Sequence, residues 1–452
     1  MTFESIKIKT VLLRCDFNEP VKGDVLESAK RIDANIITIH ELLARKNKVI
    51  LISHHSDKGQ TLLPVYNYLQ KSFNKNSKDN IKYLDTTDTK VVREYFELHK
   101  NINNFEKNYD DENLILLENT RLFLDENASN SPSPLERGLG GEAKNLDEKN
   151  DLEFAKFLAS LGECFVYDAF SVGHRDHAST TGIAKILPSC FGPTFLREYN
   201  SLKKITDELG SSLVFMGGAK LSTKLPIIQK FLNGGAVVCV GGAMLHPILQ
   251  AQNIDIKDSY LEKDFELDKK DLDYLLGEIG QADQKKNLIL PKELIWNKES
   301  AAEKDRNKIV DNIFDFESIN KIILDNNIKN ILWNGPVGMY EQGNVTGSRE
   351  IYKFIKDKKT PITPLSQLRQ GYAGQTQRGE DSKLFTVIGG GDTITFLEEE
   401  QKIENVNSEI NTDKENVAKS FEKDFSYVSL SGGAMLEFLS TGTLPILESV
   451  KI

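Results

Sequence analysis

Basic and polar side chains follow the predicted strands in the first half of the sequence, at the point where each strand ends. Because ligands of parallel α/β sheets bind beyond the carboxyl ends of the strands, we expect these side chains to line one pocket. Guanidinium groups and imidazoles suit a small substrate that carries a carboxylate or a phosphate. Any one of them alone reads as a solvated loop charge, but agreement at four strand ends favours an anion pocket. The candidates are Arg14, Asp16, Asn18, Arg31, His54, Arg121, His174, Arg175 and His177.

Glycines end the predicted strands of the second half. Such turns let backbone N–H groups approach a ligand closely and direct a helix N-terminus at it. Lys220 and Lys224 add positive charge, and Asp392 offers an oxygen ligand suited to Mg²⁺. One turn of this kind is weak support, since glycine also serves tight packing, but four predict a cradle for a nucleotide polyphosphate. The turns are Met216-Gly217-Gly218-Ala219-Lys220, Val240-Gly241-Gly242-Ala243, Ile388-Gly389-Gly390-Gly391-Asp392-Thr393 and Ser431-Gly432-Gly433-Ala434.

Short β-branched apolar runs alternate with segments of helical period along most of the chain. This pattern is typical of βαβ units and a parallel sheet, and it predicts two α/β domains. The predicted strands are 11–14, 49–52, 114–117, 164–167, 213–216, 237–240, 331–333, 385–388 and 427–430. The predicted helices include 33–45, 152–161, 224–232, 243–252, 348–355, 392–399 and 433–439.

Composition limits the class of protein. The chain has 452 residues, of which 39% are hydrophobic and 27% charged, an ordinary balance for two or three globular domains. Its net charge of −10 disfavours bulk nucleic-acid binding, which needs clustered Lys and Arg. No apolar run is long enough to span a membrane, and the first residues lack a signal-peptide core. The four cysteines show no CxxC pair, so we expect buried thiols and a cytoplasmic location.

Three stretches interrupt the α/β rhythm, namely 125–150, 359–383 and 400–424. Each is polar or rich in Pro and Gly and lacks a sustained hydrophobic period. We therefore expect three exposed, mobile insertions without chemistry of their own.

Other motifs fail their tests. The chain has no Gly-Lys dipeptide and therefore no Walker A loop, and no GxGxxG follows a strand. His174-Arg175-Asp176 mimics a protein-kinase triplet, but Thr181 stands where that motif requires asparagine. His174 and His177 have a metal-ligand spacing without an evident third ligand, which makes a zinc site a poor interpretation.

Seven strings, in order along the chain from Arg14 to Glu437, resemble the phosphoglycerate kinase family. They are RCDFNEP, ENTRLF, DAFSVGHRDHASTTGIAK, GGAKLSTK, WNGPVGMYE, GGGDT and SGGAMLE. The resemblance implies two Rossmann-like, three-layer domains with parallel sheets that face a central cleft and are joined by a hinge helix. It implies a phosphoglycerate-binding domain at 1–194, a connecting helix at 195–209, a nucleotide-binding domain at 210–440 and a segment at 441–452 that returns to the first domain.

The resemblance also implies an activity. The expected reaction is reversible, Mg²⁺-dependent phosphoryl transfer between 1,3-bisphosphoglycerate and ADP in glycolysis, giving 3-phosphoglycerate and ATP by direct in-line transfer on domain closure. The acceptor carboxylate is already ionised, so charge neutralisation matters more than a general base. A cytoplasmic monomer without nucleic-acid or membrane partners is expected.

The resemblance assigns roles residue by residue. Asp16, Asn18, Arg31, His54, Arg121 and Arg175 would hold phosphoglycerate, with Arg14, His174 and His177 nearby. The implied catalytic set is Arg31, Lys220, Gly390 and Gly433. Glu341 would bind the ribose and Asp392 the Mg²⁺. The implied nucleotide site comprises Gly217, Lys220, Lys224, Gly242, Asn334, Glu341, Gly389, Gly390, Gly391, Asp392 and Thr393.

The sequence departs from the family pattern at three places. Asp57 stands where a substrate-binding arginine is expected, with Lys58 beside it as a compensating cation. Residues 315–318 replace the family's DIGP, and Leu430 replaces a hydroxyl residue before the last glycines. These changes keep open a second hypothesis, a nucleotide-binding homologue with impaired catalysis. A dehydrogenase on the same architecture is a distant third.

Overall fold

The computed structural model describes residues 1–57, 59–74, 81–98, 113–123, 146–276, 287–297, 307–358, 384–407 and 424–450. The chain divides into two units, which we call unit 1 (Met1–Asn200 with Thr443–Ile452) and unit 2 (Ser201–Gly442). Each unit contains one six-stranded sheet whose neighbouring strands all run parallel. The α/β class predicted from the sequence is confirmed.

The sheet of unit 1 has the spatial order β5-β6-β4-β1-β7-β8, and β2 and β3 form a separate antiparallel hairpin. All residues of β1, β4, β6 and β7 are buried, as expected for a parallel sheet covered on both faces. The chain places β4 on one side of β1 and β7 on the other. The strands are β1 (Thr10–Arg14), β2 (Val21–Lys22), β3 (Val25–Leu26), β4 (Lys48–Ile52), β5 (Ile81–Leu84), β6 (Leu114–Leu117), β7 (Cys164–Tyr167) and β8 (Ser189–Phe191).

The helices of unit 1 cover this sheet with apolar stripes. In the first helix, Ile32, Asn35, Ile39 and Leu42 recur at helical spacing and are buried. The fourth begins at an N-cap, Asp151, whose carboxylate accepts from the backbone N–H of Phe154 at 2.8 Å. The helices are α1 (Lys30–Ala44), α2 (Leu63–Asn74), α3 (Thr89–Leu98), α4 (Leu152–Ser160) and α5 (Pro193–Asp207), the last of which continues into unit 2.

The sheet of unit 2 has the spatial order β11-β10-β9-β14-β15-β16. Numbered within this sheet the order is 3-2-1-4-5-6, the order of dinucleotide-binding folds, with the topological switch point between β9 and β14. Two further strands, β12 and β13, form an antiparallel pair. The strands are β9 (Ser212–Met216), β10 (Val237–Val240), β11 (Leu288–Ile289), β12 (Glu293–Asn297), β13 (Lys308–Ile313), β14 (Asn330–Asn334), β15 (Phe385–Gly389) and β16 (Tyr427–Ser429).

The core of unit 2 is centred on the fully buried Trp333 of β14 and is rich in phenylalanine. The last helix of the chain belongs to unit 1, where Leu444 and Ile446 lie against Gly173. The remaining helices are α6 (Leu221–Asn233), α7 (His246–Ala251), α8 (Lys269–Leu275), α9 (Phe316–Asp325), α10 (Thr346–Lys358), α11 (Gly391–Asn407), α12 (Gly432–Thr441) and α13 (Pro445–Ser449).

The nine predicted strands are present, with ends that differ by at most one residue. The sequence reading missed β5 and β8, which are short edge strands, and it missed β11, where only two residues pair. Their apolar runs are too short to rise above the background of the chain. The predicted helix at 243–252 is in fact a 3₁₀ turn at Ala243–Leu245 followed by α7.

The prediction of an exposed insertion at 400–424 is wrong for its first residues. Helix α11 continues to Asn407, and Glu400 is buried there and accepts from Arg349 Nη2 at 2.9 Å. The insertion at 125–150 needs the same correction at its end, where Asp147 is fully buried. The rest of these two stretches lies within 124–145 and 408–423, which fall outside the described residues. The whole of 359–383 also falls outside them.

Cys15, Cys164, Cys190 and Cys239 are buried free thiols, as predicted. Within the described ranges, none of the helices combines the length and apolar composition needed to cross a bilayer. The same ranges contain no group of three or more His, Cys, Asp or Glu side chains placed to enclose a metal ion.

Candidate functional site

The carboxyl ends of β1 and β7 are joined by a buried polar network in unit 1. Asn35 of α1 accepts from the backbone N–H of Asp16 at 2.9 Å and donates to the Asp168 carboxylate at 3.1 Å. Asp168 also accepts from Phe195 N, in the first turn of α5, at 2.8 Å. Burial raises the pKa of Asp168 to about 6, and these hydrogen bonds oppose part of that rise. The network fixes the backbone that carries the predicted substrate residues.

Asp16, Asn18 and Arg31 lie together at the end of β1. Arg31 Nη1 donates to the carbonyl oxygen of Asn18 at 2.8 Å, and its Nε lies 3.7 Å from Asp16 Oδ2. That oxygen of Asp16 also accepts from Ser171 Oγ at 2.5 Å. The Arg31 side chain keeps 29% of its surface exposed. It is therefore held at a fixed place while part of its side chain remains accessible to solvent.

The position of Arg14 differs from the one predicted. It is fully buried, and its guanidinium donates to Cys15 O at 2.6 Å, to Ser179 Oγ at 3.2 Å and to His54 Nδ1 at 3.0 Å. The prediction that Arg14 binds the acid is corrected, because no surface of this side chain faces a ligand.

Several basic residues predicted for the anion pocket act electrostatically on His54. Burial lowers the pKa of His54 well below its usual value, and Arg14, Arg121, His177 and Arg175 lower it further. Burial also lowers the pKa of His177 and of His174. These imidazoles are therefore neutral at pH 7, and each has one ring N–H to donate.

Two acidic residues of this pocket were missed by the sequence reading. Glu148 Oε1 lies 3.1 Å from Arg121 Nε, so a protein carboxylate already balances that cation. Asp147 is fully buried and accepts from Thr120 Oγ1 at 2.5 Å, from Ser179 N at 2.8 Å and from Ser179 Oγ at 3.0 Å. Both lie at the end of the polar stretch 125–150, which was interpreted as an insertion, and the only available signal was their position just before the N-cap of α4.

The unexpected Asp57 lies in a loop tied to the pocket. Asn18 Oδ1 accepts from both the backbone N–H and the hydroxyl of Ser56, at 2.8 and 3.0 Å. Asp57 N donates to His55 Nδ1 at 3.1 Å, while 70% of the Asp57 side chain is exposed. Asp57 therefore directly follows Ser56, the residue that contacts Asn18, and its carboxylate faces solvent. Lys58 falls outside the described residues.

Three turns of unit 2 pack backbone against backbone at the switch point between β9 and β14. Gly217 N donates to Asn334 O at 2.9 Å and Gly218 N to Pro336 O at 2.9 Å. A Cβ at Gly217 would collide with the Pro336 carbonyl oxygen, and one at Gly242 would come within 2.8 Å of Gly218. Glycine at these two positions is thus explained by packing within the protein.

Lys224 reaches into the middle of these turns. Its Nζ donates to Asn334 Oδ1 at 2.8 Å and to Gly217 O at 2.5 Å. Burial lowers the pKa of Lys224 to about 8, and the nearby Asp392 carboxylate opposes part of that shift. Asn334 Nδ2 is buried and has no hydrogen-bond partner among the described residues. A buried donor without an acceptor is costly, and a ligand oxygen would satisfy it.

The glycines at the start of α11 and α12 are different. A Cβ at Gly391 or at Gly433 would meet no atom of the described residues within 4 Å, and neither residue has a positive φ. Neither packing against the described part of the chain nor backbone conformation requires glycine there, which leaves room for close approach of a ligand. Gly390, by contrast, has φ +96° and lies against the Asn334 amide.

The other predicted residues take several roles. Lys220 and Asp392 are exposed, and Lys220 makes no side-chain hydrogen bond or ion pair with the described part of the chain. Glu341 is exposed in the 3₁₀ turn Tyr340–Gln342. The hydroxyl of Thr393 accepts from Gly335 N at 2.7 Å and donates to Gly389 O at 3.0 Å. Because it is fully buried, its side chain braces the turn, which corrects the prediction of a direct nucleotide contact.

Glu262 was also missed. Its carboxylate accepts from the backbone N–H of Ser222 at 3.1 Å and from the Ser222 hydroxyl, in the first turn of α6. The N-cap of α6 is Lys220, which has no acceptor, so Glu262 caps this helix from outside. No local pattern reveals a cap that lies 40 residues further along the chain.

The departures at 315–318 and 429–431 are structural. Asp315 is the N-cap of α9 and accepts from Ser318 Oγ at 2.7 Å. Ser429 Oγ accepts from the backbone N–H of Ser431 at 3.3 Å. Asp315 therefore caps α9 despite the changed residues, whereas Ser431, the N-cap of α12, makes no side-chain cap hydrogen bond and is followed by Gly432 at φ +41°.

Comparisons with known proteins agree with this arrangement. The model of the family described as phosphoglycerate kinase matches residues 2–366. The chain is 29% identical over 467 residues to a phosphoglycerate kinase of Finegoldia magna, covering 99% of this chain and 97% of that protein. It is 29% identical to one from Francisella tularensis, covering 99% and 96%. The structure of phosphoglycerate kinase from Coxiella burnetii matches with a TM-score of 0.67 at 23% identity, covering 99% and 98% of the two chains.

Proposed function

Because the chain belongs to the phosphoglycerate kinase family of glycolytic, ATP-binding enzymes, we propose that it transfers a phosphoryl group between 1,3-bisphosphoglycerate and ADP, giving 3-phosphoglycerate and ATP. The observation that carries the proposal is that complementary groups stand at the carboxyl ends of β1 and β7 in unit 1 and of β9 and β14 in unit 2. Unit 1 offers partly exposed Arg31 and neutral imidazole donors, which suit a small acid. Unit 2 offers Lys224, the open glycines and the unsatisfied Asn334 amide, which suit a polyphosphate.

The chemistry needs no general base in the unit 1 pocket. The acceptor is a carboxylate that is ionised at neutral pH, so the protein has to position it in line with the transferred group and neutralise charge. The partly exposed Arg31 and the exposed Lys220 are the cations assigned to that task. Each such contact to developing charge contributes about 3–4 kcal/mol of transition-state stabilisation.

The donor set of unit 2 fits a magnesium nucleotide. Asp392 stands exposed in the first turn of α11, and the described residues provide no closed carboxylate cage. Mg²⁺ is characteristically held by one or two carboxylates together with substrate phosphates. When bound, the ion would neutralise charge on the phosphates, and Asp392 would hold it. Backbone N–H groups at Gly391 and Gly433 would approach the phosphates, and exposed Glu341 would bind the ribose.

The test is a coupled assay with 3-phosphoglycerate, ATP and Mg²⁺. Wild-type protein should turn over, and Lys220→Ala should lose at least about a hundredfold in kcat. Lys353→Ala is the matched control, because Lys353 is exposed on α10 and pairs with Glu350 on the same helix surface. Wild-type turnover no greater than that of Lys220→Ala would refute the proposal.

A second function, a nucleotide-binding protein with impaired catalysis, is favoured by Asp57 alone. A carboxylate beside Asn18 opposes binding of an anionic acid. Titration calorimetry separates the two functions. Tight binding of MgADP without binding of 3-phosphoglycerate would support the second function, whereas binding of both supports the kinase.

A further inference from the structure

Arg14 and His54 form a buried pair whose hydrogen-bond direction is fixed by chemistry. The two atoms in contact are Arg14 Nη2 and His54 Nδ1, 3.0 Å apart, and both residues are buried. A guanidinium can only donate, so Nδ1 must accept. A neutral imidazole that accepts at Nδ1 carries its proton on Nε2. The contact with Arg14 therefore selects one of the two tautomers of His54.

The charge of Arg14 is itself held in place by a hydrogen-bonded chain. Arg14 Nε donates to Ser179 Oγ at 3.2 Å, and that hydroxyl donates to Asp147 Oδ2 at 3.0 Å. Asp147 accepts in addition from Ser179 N and Thr120 Oγ1. A buried cation is tolerated when it is paired and its donors are satisfied, and Asp147 supplies the balancing charge through one hydroxyl. The guanidinium plane is thereby locked toward His54.

The surroundings exclude a charged imidazole at this position. Burial lowers the pKa of His54, and Arg14, Arg121, His177 and Arg175 act in the same direction. The ring is therefore uncharged across the neutral range, and its Nε2–H is the one donor that it has left. A charged ring would offer two donors but would have to face Arg14 with an N–H.

We propose that Arg14 is a positioning residue for the phosphoglycerate pocket, which holds His54 in the Nε2–H tautomer so that this N–H donates to the bound acid. The proposal rests on the proposed function for the identity of the acid. Arg14 makes no contact with the acid itself and acts only through the imidazole. His54 supplies a hydrogen bond to the pocket, and Arg31 and Arg175 supply the accessible charge.

The first experiment reads the tautomer directly and needs no activity. The full chain is labelled with ¹⁵N-histidine, and the His54 signals are assigned by comparison with His54→Gln. At pH 7, Nδ1 should resonate as an unprotonated nitrogen and Nε2 as a protonated one, without change between about pH 6 and 8. A protonated Nδ1, or a ring charged at pH 7, would overturn the proposal whether or not the protein is a kinase.

The second experiment measures binding of 3-phosphoglycerate by calorimetry in a double-mutant cycle. Arg14→Met should weaken binding about tenfold, the size of one hydrogen bond, and should produce a mixture of His54 tautomers. Arg14→Lys retains a donor and should stay within about threefold of wild type. In a His54→Ala background, Arg14→Met should have no further effect on binding.

The outcomes of the cycle are distinguishable. An Arg14→Met effect that persists without the imidazole would mean that Arg14 acts on the acid or on the fold, and would overturn the proposal. If Arg14→Met fails to fold, Ser179→Ala replaces it, since it frees the guanidinium from Asp147 and should also mix the tautomers. Absence of any 3-phosphoglycerate binding by wild type would refute the proposed function, while the nitrogen spectrum would still decide the tautomer.

Discussion

Unit 1 and unit 2 carry different groups at the carboxyl ends of their parallel sheets. At the ends of β1 and β7 in unit 1 the proposed ligand groups are side chains, and buried residues such as Asn35 and Asp147 support them. At the switch point of unit 2 the groups are largely main-chain turns, and what the protein supplies there is empty space at Gly391 and Gly433. The comparison teaches that charged pockets require a polar scaffold, whereas backbone cradles require the absence of side chains.

The largest expected effect concerns the side-chain pocket. Arg31→Ala should lower kcat about 10²–10³-fold because it removes a cation from the developing charge, while changing the melting temperature by only a few degrees. Arg45→Ala, at the other end of α1, is the matched control, since Arg45 pairs with Glu41 and stacks on Phe3. Parallel losses of melting temperature and activity in Arg31→Ala would show that Arg31 is structural.

The backbone cradle should respond in the reverse manner. Gly391→Ala and Gly433→Ala should leave thermal stability unchanged or raised by about 0.5–1 kcal/mol, because alanine favours a helix, yet they should raise the KM for MgATP at least about tenfold. Gly217→Ala should instead unfold at lower temperature, since its Cβ meets the Pro336 carbonyl. Unchanged KM values in the first two variants would show that no ligand approaches those turns.

A smaller effect is expected when a positive charge replaces Asp57, which departs from the family pattern in unit 1. Asp57→Arg should lower the KM for 3-phosphoglycerate about fivefold, because a cation replaces an exposed carboxylate beside Asn18. Asp325→Arg makes the same change in net charge on an exposed helix end of unit 2 and should leave this KM alone. Equal effects of the two variants would point to overall charge instead of a local contact.

The smallest effect is a pH dependence in unit 2. Lys224 has a pKa of about 8 in the folded protein, so its side chain is charged below that pH and loses its positive charge as the pH rises through it. The kcat/KM for MgATP should therefore fall about threefold between roughly pH 7.5 and 8.5. Lys224→Arg does not titrate in this range and should remove the alkaline decline. A wild-type profile that is flat from about pH 7 to 9 would contradict this role.

The lowered pKa of Lys224 also affects the free energy of unfolding. The pKa of Lys224 is lower in the folded chain than in the unfolded chain, so folding disfavours its charged form. The resulting penalty is complete below about pH 8 and is relieved as the pH rises toward the unfolded value near 10.5. In Lys224→Met this penalty is absent, which by itself raises the free energy of unfolding at pH 7. The variant also loses the hydrogen bonds to Asn334 and Gly217, which lowers the free energy of unfolding. Chemical denaturation measures the sum of the two effects.

Part of the proposed site was accessible to sequence analysis because strand ends are local features. Arg31, Lys224 and Asp392 stand within a few residues of an apolar run that must be a strand or helix, so their positions near a sheet edge follow from the pattern. Asn334 was assigned only through the family resemblance. Arg14 and Thr393 have the same sequence signal, yet both are fully buried. Whether a polar group at a strand end faces a ligand or another element depends on contacts that no local pattern encodes.

By itself, the sequence determined nine strands of the two parallel sheets, the α/β class and the residue types at each strand end, because a buried parallel strand requires a continuous apolar run bounded by turns. The tertiary structure decided which strands are neighbours and hence which side chains meet. Arg14 and Ser179 are 165 residues apart, and Ser222 and Glu262 are 40 apart. Such contacts are set by sheet order and packing, whose energies depend on the whole fold and not on any one segment.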